Sequence, residues 1–182
     1  MNKRANDALL NLKSQDVEEV KKACDYLEEN GTLAQLEEVF EIYLATENLD
    51  IKRDVFNLLA SVSVKGAAEK WMEMLYNKDN EHARKQILHI LWNSKLNYSD
   101  HIASFVKMAC ESDYLTALEC LTILENLEGP FDEASLLEAQ LHLRDYLESR
   151  NEEDDKKKFL MSEIALILKD QNEGVDTDLL LE

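Results

Sequence analysis

Proline and glycine are scarce in this sequence. Pro130 is the only proline, and four glycines are spread over 182 residues. Both residues destabilise helix interiors, glycine through its backbone freedom and proline through its missing N–H group. Their scarcity therefore predicts an all-α chain.

A long apolar run is also missing. No stretch approaches the roughly 18 apolar residues of a membrane-spanning helix, and the opening residues MNKRAND lack the apolar core of a secretory signal. Hydrophobic residues still make up 45% of the chain, which is typical of folded proteins. We therefore expect a folded, cytoplasmic protein without a membrane partner. Its oligomeric state is left open, with a monomer favoured.

Motifs of catalysis and metal binding are missing as well. Cys24, Cys110 and Cys120 show no CxxC spacing, and the four histidines form no HExxH motif or Cys/His cluster. No GxSxG motif or phosphate-binding glycine loop occurs. The cysteines are interpreted as buried small hydrophobic side chains, with a reactive thiol or metal ligand as the alternative. No cofactor or metal is expected, and we predict that the protein is not an enzyme.

Basic residues are outnumbered by acidic ones, 20 against 38, which gives a formal net charge of -18. Such a charge repels phosphate backbones and anionic membranes. It excludes nucleic acid as the expected partner and favours a protein or peptide, with a basic one as an option.

A short pattern recurs at a spacing of just over thirty residues. Its copies are 39–43 (VFEIY), 71–75 (WMEML), 105–109 (FVKMA) and, more loosely, 136–140 (LLEAQ). A fixed period of about 20–50 residues is typical of solenoids, in which one small unit is stacked many times. Each copy is predicted to open an A helix that is followed by a B helix. Trp71, in the second copy, is predicted to lie in the core.

An acid and a base six residues apart mark the B helices. The pairs are Asp16 with Lys22, Glu47 with Arg53, and Asp79 with Lys85. The fourth, eighth and eleventh positions after each acid form an apolar stripe at helical spacing. These positions are Val20, Cys24, Leu27; Ile51, Val55, Leu58; and Ala83, Ile87, Ile90. A looser fourth copy begins near Glu111 with Leu115, Leu118 and Leu121, and a fifth has Phe159, Leu160, Ile164 and Leu168.

Capping residues complete the helix boundaries. Gly31 is predicted to end one helix in a left-handed conformation, and Thr32 with Gln35 to form a capping box for the next. We expect about five antiparallel helix pairs in a single domain over residues 1–170, followed by a flexible acidic tail over 171–182. The charged run 150–158 (RNEEDDKKK) is interpreted as a solvated turn or helix end, with a docking loop as the alternative.

The acid–base pairs in helix pairs of this length resemble the HEAT and armadillo-like repeat group, over roughly residues 16–128. The resemblance implies an α-α superhelix in which Asp16, Lys22, Glu47, Arg53, Asp79 and Lys85 form a structural ladder. A basic stripe that binds an anion is the alternative role of Lys22, Arg53 and Lys85. A tetratricopeptide-like array remains an alternative fold. Some HEAT-like proteins resemble DNA glycosylases, and others act as lyases on bilin chromophores. Both activities are alternatives, the first disfavoured by the net charge of -18 and the second by the lack of a sequence feature that selects a deep pocket.

The outward face of the B helices is the predicted partner-binding surface, since B helices commonly line the concave side of such arrays. Its candidate residues are Tyr26, Asn57, His89, Trp92 and Asn93. A packing role between repeats is the alternative for Trp92. The predicted function is a non-enzymatic protein-interaction scaffold or adaptor that binds a peptide or protein there. An acidic inhibitor or immunity-type protein that covers a basic partner surface is the alternative.

Overall fold

The structure is a computed structural model that describes residues 3–149 and 155–171. Within these ranges the chain forms ten α-helices and no strand, which confirms the all-α prediction. The helices are α1 Lys3–Asn11, α2 Val17–Asn30, α3 Leu33–Ala45, α4 Leu49–Ser61, α5 Ala67–Tyr76, α6 Arg84–Asn93, α7 Ile102–Glu111, α8 Tyr114–Glu125, α9 Glu133–Glu148 and α10 Asp155–Gln171. Two 3₁₀ segments, Lys78–Ala83 and Ser99–His101, precede α6 and α7.

The chain divides into two compact units, Met1–Leu96 and Asn97–Glu182. The first unit contains α1 to α6 and the second contains α7 to α10. The single domain over 1–170 stays a prediction. The predicted tail over 171–182 lies outside the described residues except for Gln171, and so does the part of the charged run from 150 to 154.

Helices that follow one another pack together within each unit. In the first unit α1 contacts α2, α3 contacts α4, and α5 contacts α6, while α2 also contacts α4 and α4 contacts α6. In the second unit α7 contacts α8, α9 contacts α10, α7 contacts α9, and α8 contacts α10. Each helix therefore contacts its successor in a pair or the equivalent helix of the next pair.

The recurring five-residue pattern forms the core side of the odd-numbered helices. Its copies lie inside α3, α5, α7 and α9, after the first helical residues and not at the helix starts. In the first three copies the first, second, fourth and fifth positions are buried, and the middle position is exposed. Trp71 has no exposed surface, which confirms its predicted core position. The same burial in three copies shows that they occupy equivalent environments.

The apolar stripe of the even-numbered helices is confirmed in the first unit, where all nine predicted positions are buried. The prediction for the fourth copy is wrong at Leu115 and Leu118, which are 55% and 38% exposed. The reason is that Asp113 caps α8, so the positions of the stripe must be counted from Asp113 and not from Glu111. Counted in this way, the fourth, eighth and eleventh positions are Ala117, Leu121 and Leu124, and all are buried.

The fifth copy also differs from the prediction. Phe159 is 64% exposed, whereas Leu160, Ile164 and Leu168 are buried as expected. Lys157, which belongs to the run interpreted as solvated, is only 9% exposed. Its Nζ donates to the Cys110 carbonyl at 2.9 Å and the Ser112 carbonyl at 2.6 Å. The solvated interpretation is therefore wrong at this residue, because the end of α7 offers its charge carbonyl partners.

Side-chain caps fix the starts of α2, α4 and α8. Asp16 accepts the Glu18 and Glu19 N–H groups, and Asp113 accepts that of Thr116. At α4 the cap is Asn48, which directly follows the predicted ladder acid Glu47. In the first two copies the acid that opens this motif is thus the capping residue or its neighbour, since a short polar side chain at the cap satisfies free N–H groups.

The helix boundary at Gly31 is confirmed, but its predicted left-handed conformation is wrong. Gly31 has φ -68° and ψ 156°, which any residue adopts. A Cβ atom at this position would collide with the Leu27 carbonyl oxygen. Glycine is therefore required by close packing on the preceding turn. The capping box is confirmed, because Gln35 Oε1 accepts the Thr32 N–H at 2.7 Å.

Candidate partner-binding surface

A series of aromatic side chains leads from the core of the first unit to its surface. Trp71 packs edge-on against Phe40 with ring centroids 5.9 Å apart. Tyr43 follows Phe40 at 6.2 Å, and Phe56 follows Tyr43 at 6.2 Å. His89 then packs on Phe56 at 5.2 Å and Trp92 on His89 at 5.5 Å. The outer residues of the series are thereby supported by packing that begins in the core.

The outer end of this series is a hydrogen-bonded pair on α6. Trp92 is 40% exposed, and its Nε1–H donates to His89 Nδ1 at 3.2 Å. The two rings stand nearly perpendicular, at 82°. A ring nitrogen that accepts a hydrogen bond carries no proton, so Nδ1 is the acceptor nitrogen of His89 in this bond. The bond fixes the direction of the indole while leaving much of its surface accessible.

Phe56 is a member of this surface that the sequence prediction missed. It lies half-buried on α4 between Tyr43 and His89. The prediction selected its neighbour Asn57, which is exposed. The sequence did offer a signal for Phe56. It lies five residues after Ile51 and one after Val55, which places this aromatic side chain at the edge of the apolar stripe. We call Phe56, His89 and Trp92 the aromatic ledge.

The structure brings together three of the five predicted partner-binding residues. His89 and Trp92 share their hydrogen bond, and Asn93 Nδ2 donates to the His89 carbonyl at 2.7 Å. Within residues 3–149, no hydrogen bond or ring contact joins Tyr26 or Asn57 to this group. Asn93 therefore closes the last turn of its own helix, and the partner-binding role of all five residues stays a prediction.

The predicted ladder pairs do not account for the ion pairs observed in the first unit. Arg53 pairs with Asp50 at 3.1 Å and with Asp54 at 3.6 Å, both on its own helix. Among the described residues, Lys22 makes no ion pair with Asp16, whose side chain caps α2. Asp79 lies in the 3₁₀ segment and Lys85 in α6, so the two stand on different helical elements.

An ion pair between neighbouring repeats joins the odd-numbered helices α3 and α5. Lys70 Nζ of α5 lies 2.7 Å from Glu37 Oε1 of α3. Hydrogen bonding to Glu37, and then to Glu73, raises the pKa of the Lys70 ammonium. Glu37 and Lys70 are 33 residues apart, close to the repeat spacing. The repeat spacing is therefore a usable signal for this ion pair, and the structural ladder stays a prediction.

A cleft of about 510 Å³ lies where the α1–α2 turn meets the end of α3 and the start of α4. Leu12, Ile42 and Ile51 contribute apolar surface to it. Its polar lining includes Glu38, Glu41, Glu47 and Lys13. Lys13 is paired with Glu38 at 2.9 Å. The excess of carboxylates gives this cleft a negative potential.

The cysteines are buried, as predicted. Burial raises the pKa of the Cys24 thiol to about 12 and that of Cys110 to about 11. Both are therefore neutral thiols at ordinary pH and poor nucleophiles.

In the described part of the chain, no three His, Cys, Asp or Glu side chains cluster in a way that could hold a metal ion. The described helices include none with the length and apolar character to cross a bilayer.

Comparison with known proteins adds no assignment to these observations. No family model matches the chain, and no curated protein or solved structure matches it.

Proposed function

We propose that this protein is a non-enzymatic, cytoplasmic scaffold or adaptor that binds a protein or peptide at the aromatic ledge. Its fold in this proposal is an α-α superhelix of HEAT-like antiparallel helix pairs. The observation that carries the proposal is Trp92, a large aromatic side chain that is 40% exposed and oriented by a hydrogen bond from its indole to His89.

Helix order supports the superhelix. In a stacked array each helix contacts its pair partner and the equivalent helix of the next pair. The contacts among α7 to α10 have this order, and so do those among α1 to α6, where Phe40 on Trp71 and Glu37 with Lys70 join α3 to α5. The buried stripe also begins at the same distance from the capping residues Asp16 and Asp113, which supports the repetition of one helix-pair unit along the chain.

Preorganisation supports the binding role of the ledge. Tryptophan and tyrosine dominate interface energetics because they bury a large area at a small cost in conformational entropy. Trp92 has already lost part of this entropy, since its indole is held by His89 and His89 packs on Phe56. A partner that covers the indole therefore gains buried area without first ordering the side chain.

Affinity capture with variants tests the proposal. The chain is immobilised, partners are captured from its host lysate, and each protein identified by mass spectrometry is purified and titrated. Trp92→Ala with His89→Ala should weaken the titrated complex by about thirtyfold, the value for a hot spot of about 2 kcal/mol. Leu49→Ala is the matched control, because Leu49 is an exposed apolar residue of the same unit, at 80%. Equal affinity of the double variant and the control would overturn the proposal.

Salt dependence of the titrated complex separates the scaffold from the acidic inhibitor. An acidic protein that covers a basic surface should lose affinity steeply as salt screens its charges. Binding through the aromatic ledge should change little between low and high salt.

The enzymatic alternatives are tested by electrophoretic mobility shift with DNA and by incubation with a bilin chromophore, and neither should give a signal.

A further inference from the structure

The cleft between the α1–α2 turn, the end of α3 and the start of α4 has an apolar floor and an acidic rim. Leu12, Ile42 and Ile51 form the floor, and the exposed residues Glu41 and Glu47 stand at the rim. Its volume of about 510 Å³ lies in the range of about 300–1,000 Å³ that is typical of small-molecule sites. No residue of the aromatic ledge lines this cleft. We call it the acidic cleft.

Acidic side chains outnumber basic ones in the acidic cleft. Among the described residues that line it, Lys13 is the only base, against Glu38, Glu41 and Glu47. Lys13 Nζ lies 2.9 Å from Glu38 Oε1, which compensates one of the three carboxylates. Glu41 and Glu47 form no ion pair with another described residue, so their charges attract a cation from outside the chain.

The helix ends around the cleft favour a cation as well. The last turn of α3 contains no basic side chain, and the carbonyl groups of a helix end carry partial negative charge. Lys52 is close in the sequence but does not line the cleft, because its Nζ lies over the Tyr43 ring, 5.1 Å from the centroid. The start of α4 has the opposite polarity, but its N–H groups at Asp50 and Ile51 already donate to the Asn48 side chain.

The spacing of the carboxylates distinguishes between kinds of cation. Over the described ranges, no three His, Cys, Asp or Glu side chains lie close enough together to hold a metal ion, so the glutamates of the cleft form no metal site. Separated carboxylates fit a cation whose charges are separated as well. The apolar floor favours methylene groups between those charges, because burial of apolar surface is favourable.

We propose that the acidic cleft binds a free aliphatic polyamine, with its methylene groups over the apolar floor and its ammonium groups at Glu41 and Glu47. An unbranched chain of methylene and ammonium groups matches both the floor and the rim. This site is separate from the aromatic ledge, so the inference goes beyond the proposed scaffold function and does not depend on it.

Titration of the full chain with spermidine, followed by nuclear magnetic resonance, tests the proposal. At constant ionic strength, we expect the amide signals of Lys13, Thr46 and Ile51, which line the cleft, to shift and saturate. The amide signal of Trp92, on the ledge, should not shift comparably. Shifts spread over the acidic surface without saturation would overturn the proposal, since they would indicate general charge screening.

Neutral variants of the rim test the role of the two carboxylates. Glu41→Gln with Glu47→Gln should raise the Kd for spermidine by about tenfold, since two exposed charge contacts are lost. The matched control is Glu29→Gln with Glu69→Gln, which changes the net charge equally at exposed residues of the same unit outside the cleft. This control should keep the Kd of the wild type, and equal values for the two double variants would overturn the proposal. If the rim variant loses helical circular dichroism, its two single substitutions give the same comparison.

Two further titrations distinguish the kinds of ligand. Trilysine with blocked ends carries the same charge as spermidine, and Mg²⁺ is a compact cation without methylene groups. We expect spermidine to bind more tightly than either. Trilysine that binds as tightly as spermidine would show a docking site for a basic peptide and would overturn the proposal. A response to Mg²⁺ equal to that for spermidine would overturn it as well.

Discussion

The Trp92 indole N–H donates to His89 Nδ1 at 3.2 Å, and His89 in turn packs on Phe56 at 5.2 Å. This arrangement joins an exposed side chain of α6 to the aromatic packing of α4. Orientation of the indole therefore depends on an acceptor one helical turn before it. The hydrogen bond of the Trp92 indole can be followed in solution, because an indole N–H gives a separate nuclear magnetic resonance signal.

Replacement of His89 by alanine should release the Trp92 indole. Its N–H resonance should shift and exchange faster with water, since the protein acceptor is lost. Stability should fall by only about 1 kcal/mol, the usual contribution of one hydrogen bond. The Trp71 indole serves as the internal control and should keep its position. An unchanged Trp92 resonance in His89→Ala would contradict the hydrogen bond.

Replacement of Lys157 by alanine should destabilise the second unit by about 2 kcal/mol, because a charged donor to helix C-terminal carbonyls is lost. Lys157 also lies over the Tyr146 ring, 5.0 Å from its centroid. Lys169, an exposed lysine of the same helix, provides the control, and its alanine variant should stay within about 0.5 kcal/mol of the wild type. Chemical denaturation measures both variants. Equal losses would show that Lys157 has no special role.

The indole N–H of Trp71 is buried without a hydrogen-bond partner among the described residues. Trp71→Phe removes this unsatisfied donor while it keeps a ring against Phe40, so we expect a loss of about 1–2 kcal/mol. Trp71→Ala leaves a large cavity and should cost about 3–5 kcal/mol. Thermal or urea unfolding measures the two values. A Phe variant as unstable as the Ala variant would contradict this account of the core.

Burial of Cys24 predicts a loss of stability at alkaline pH. Its thiol has a pKa of about 12 in the folded chain, against 9 for a free thiol. The unfolded chain releases this proton at a lower pH than the folded chain does. The contribution of Cys24 to the free energy of unfolding is therefore fully present below pH 9 and is lost as the pH rises towards 12. Burial also raises the pKa of Tyr43, which adds to the loss in the same direction. Urea unfolding at about pH 8 and about pH 10 should therefore show a smaller decline for Cys24→Ala than for the wild type. Identical declines would contradict the shift.

Local rules in the sequence predicted the helices and most of the core. Burial at the fourth, eighth and eleventh positions was readable because helix spacing and a capping residue fix it together. The prediction failed where the cap was misplaced. Counting from Glu111 instead of Asp113 put exposed Leu115 into the stripe and left out buried Ala117.

Features that depend on contacts between residues distant in the sequence could not be predicted from local sequence rules. Lys157 is buried because the end of α7 supplies two carbonyl acceptors, and these come from residues more than forty positions away. Phe159 is exposed because α10 turns its other face to α8 and α9. The link from Trp92 to His89 is local, but their packing on Phe56 depends on the contact of α4 with α6.

An experimental structure of the chain tests the central claim, the stacking of equivalent helix pairs, most directly. We predict that α1–α2 superposes on α3–α4 and α5–α6 within the first unit, and α7–α8 on α9–α10 within the second. After superposition, Val20 should coincide with Ile51, and Cys24 with Val55. Helix pairs that share no common superposition within either unit would contradict the account.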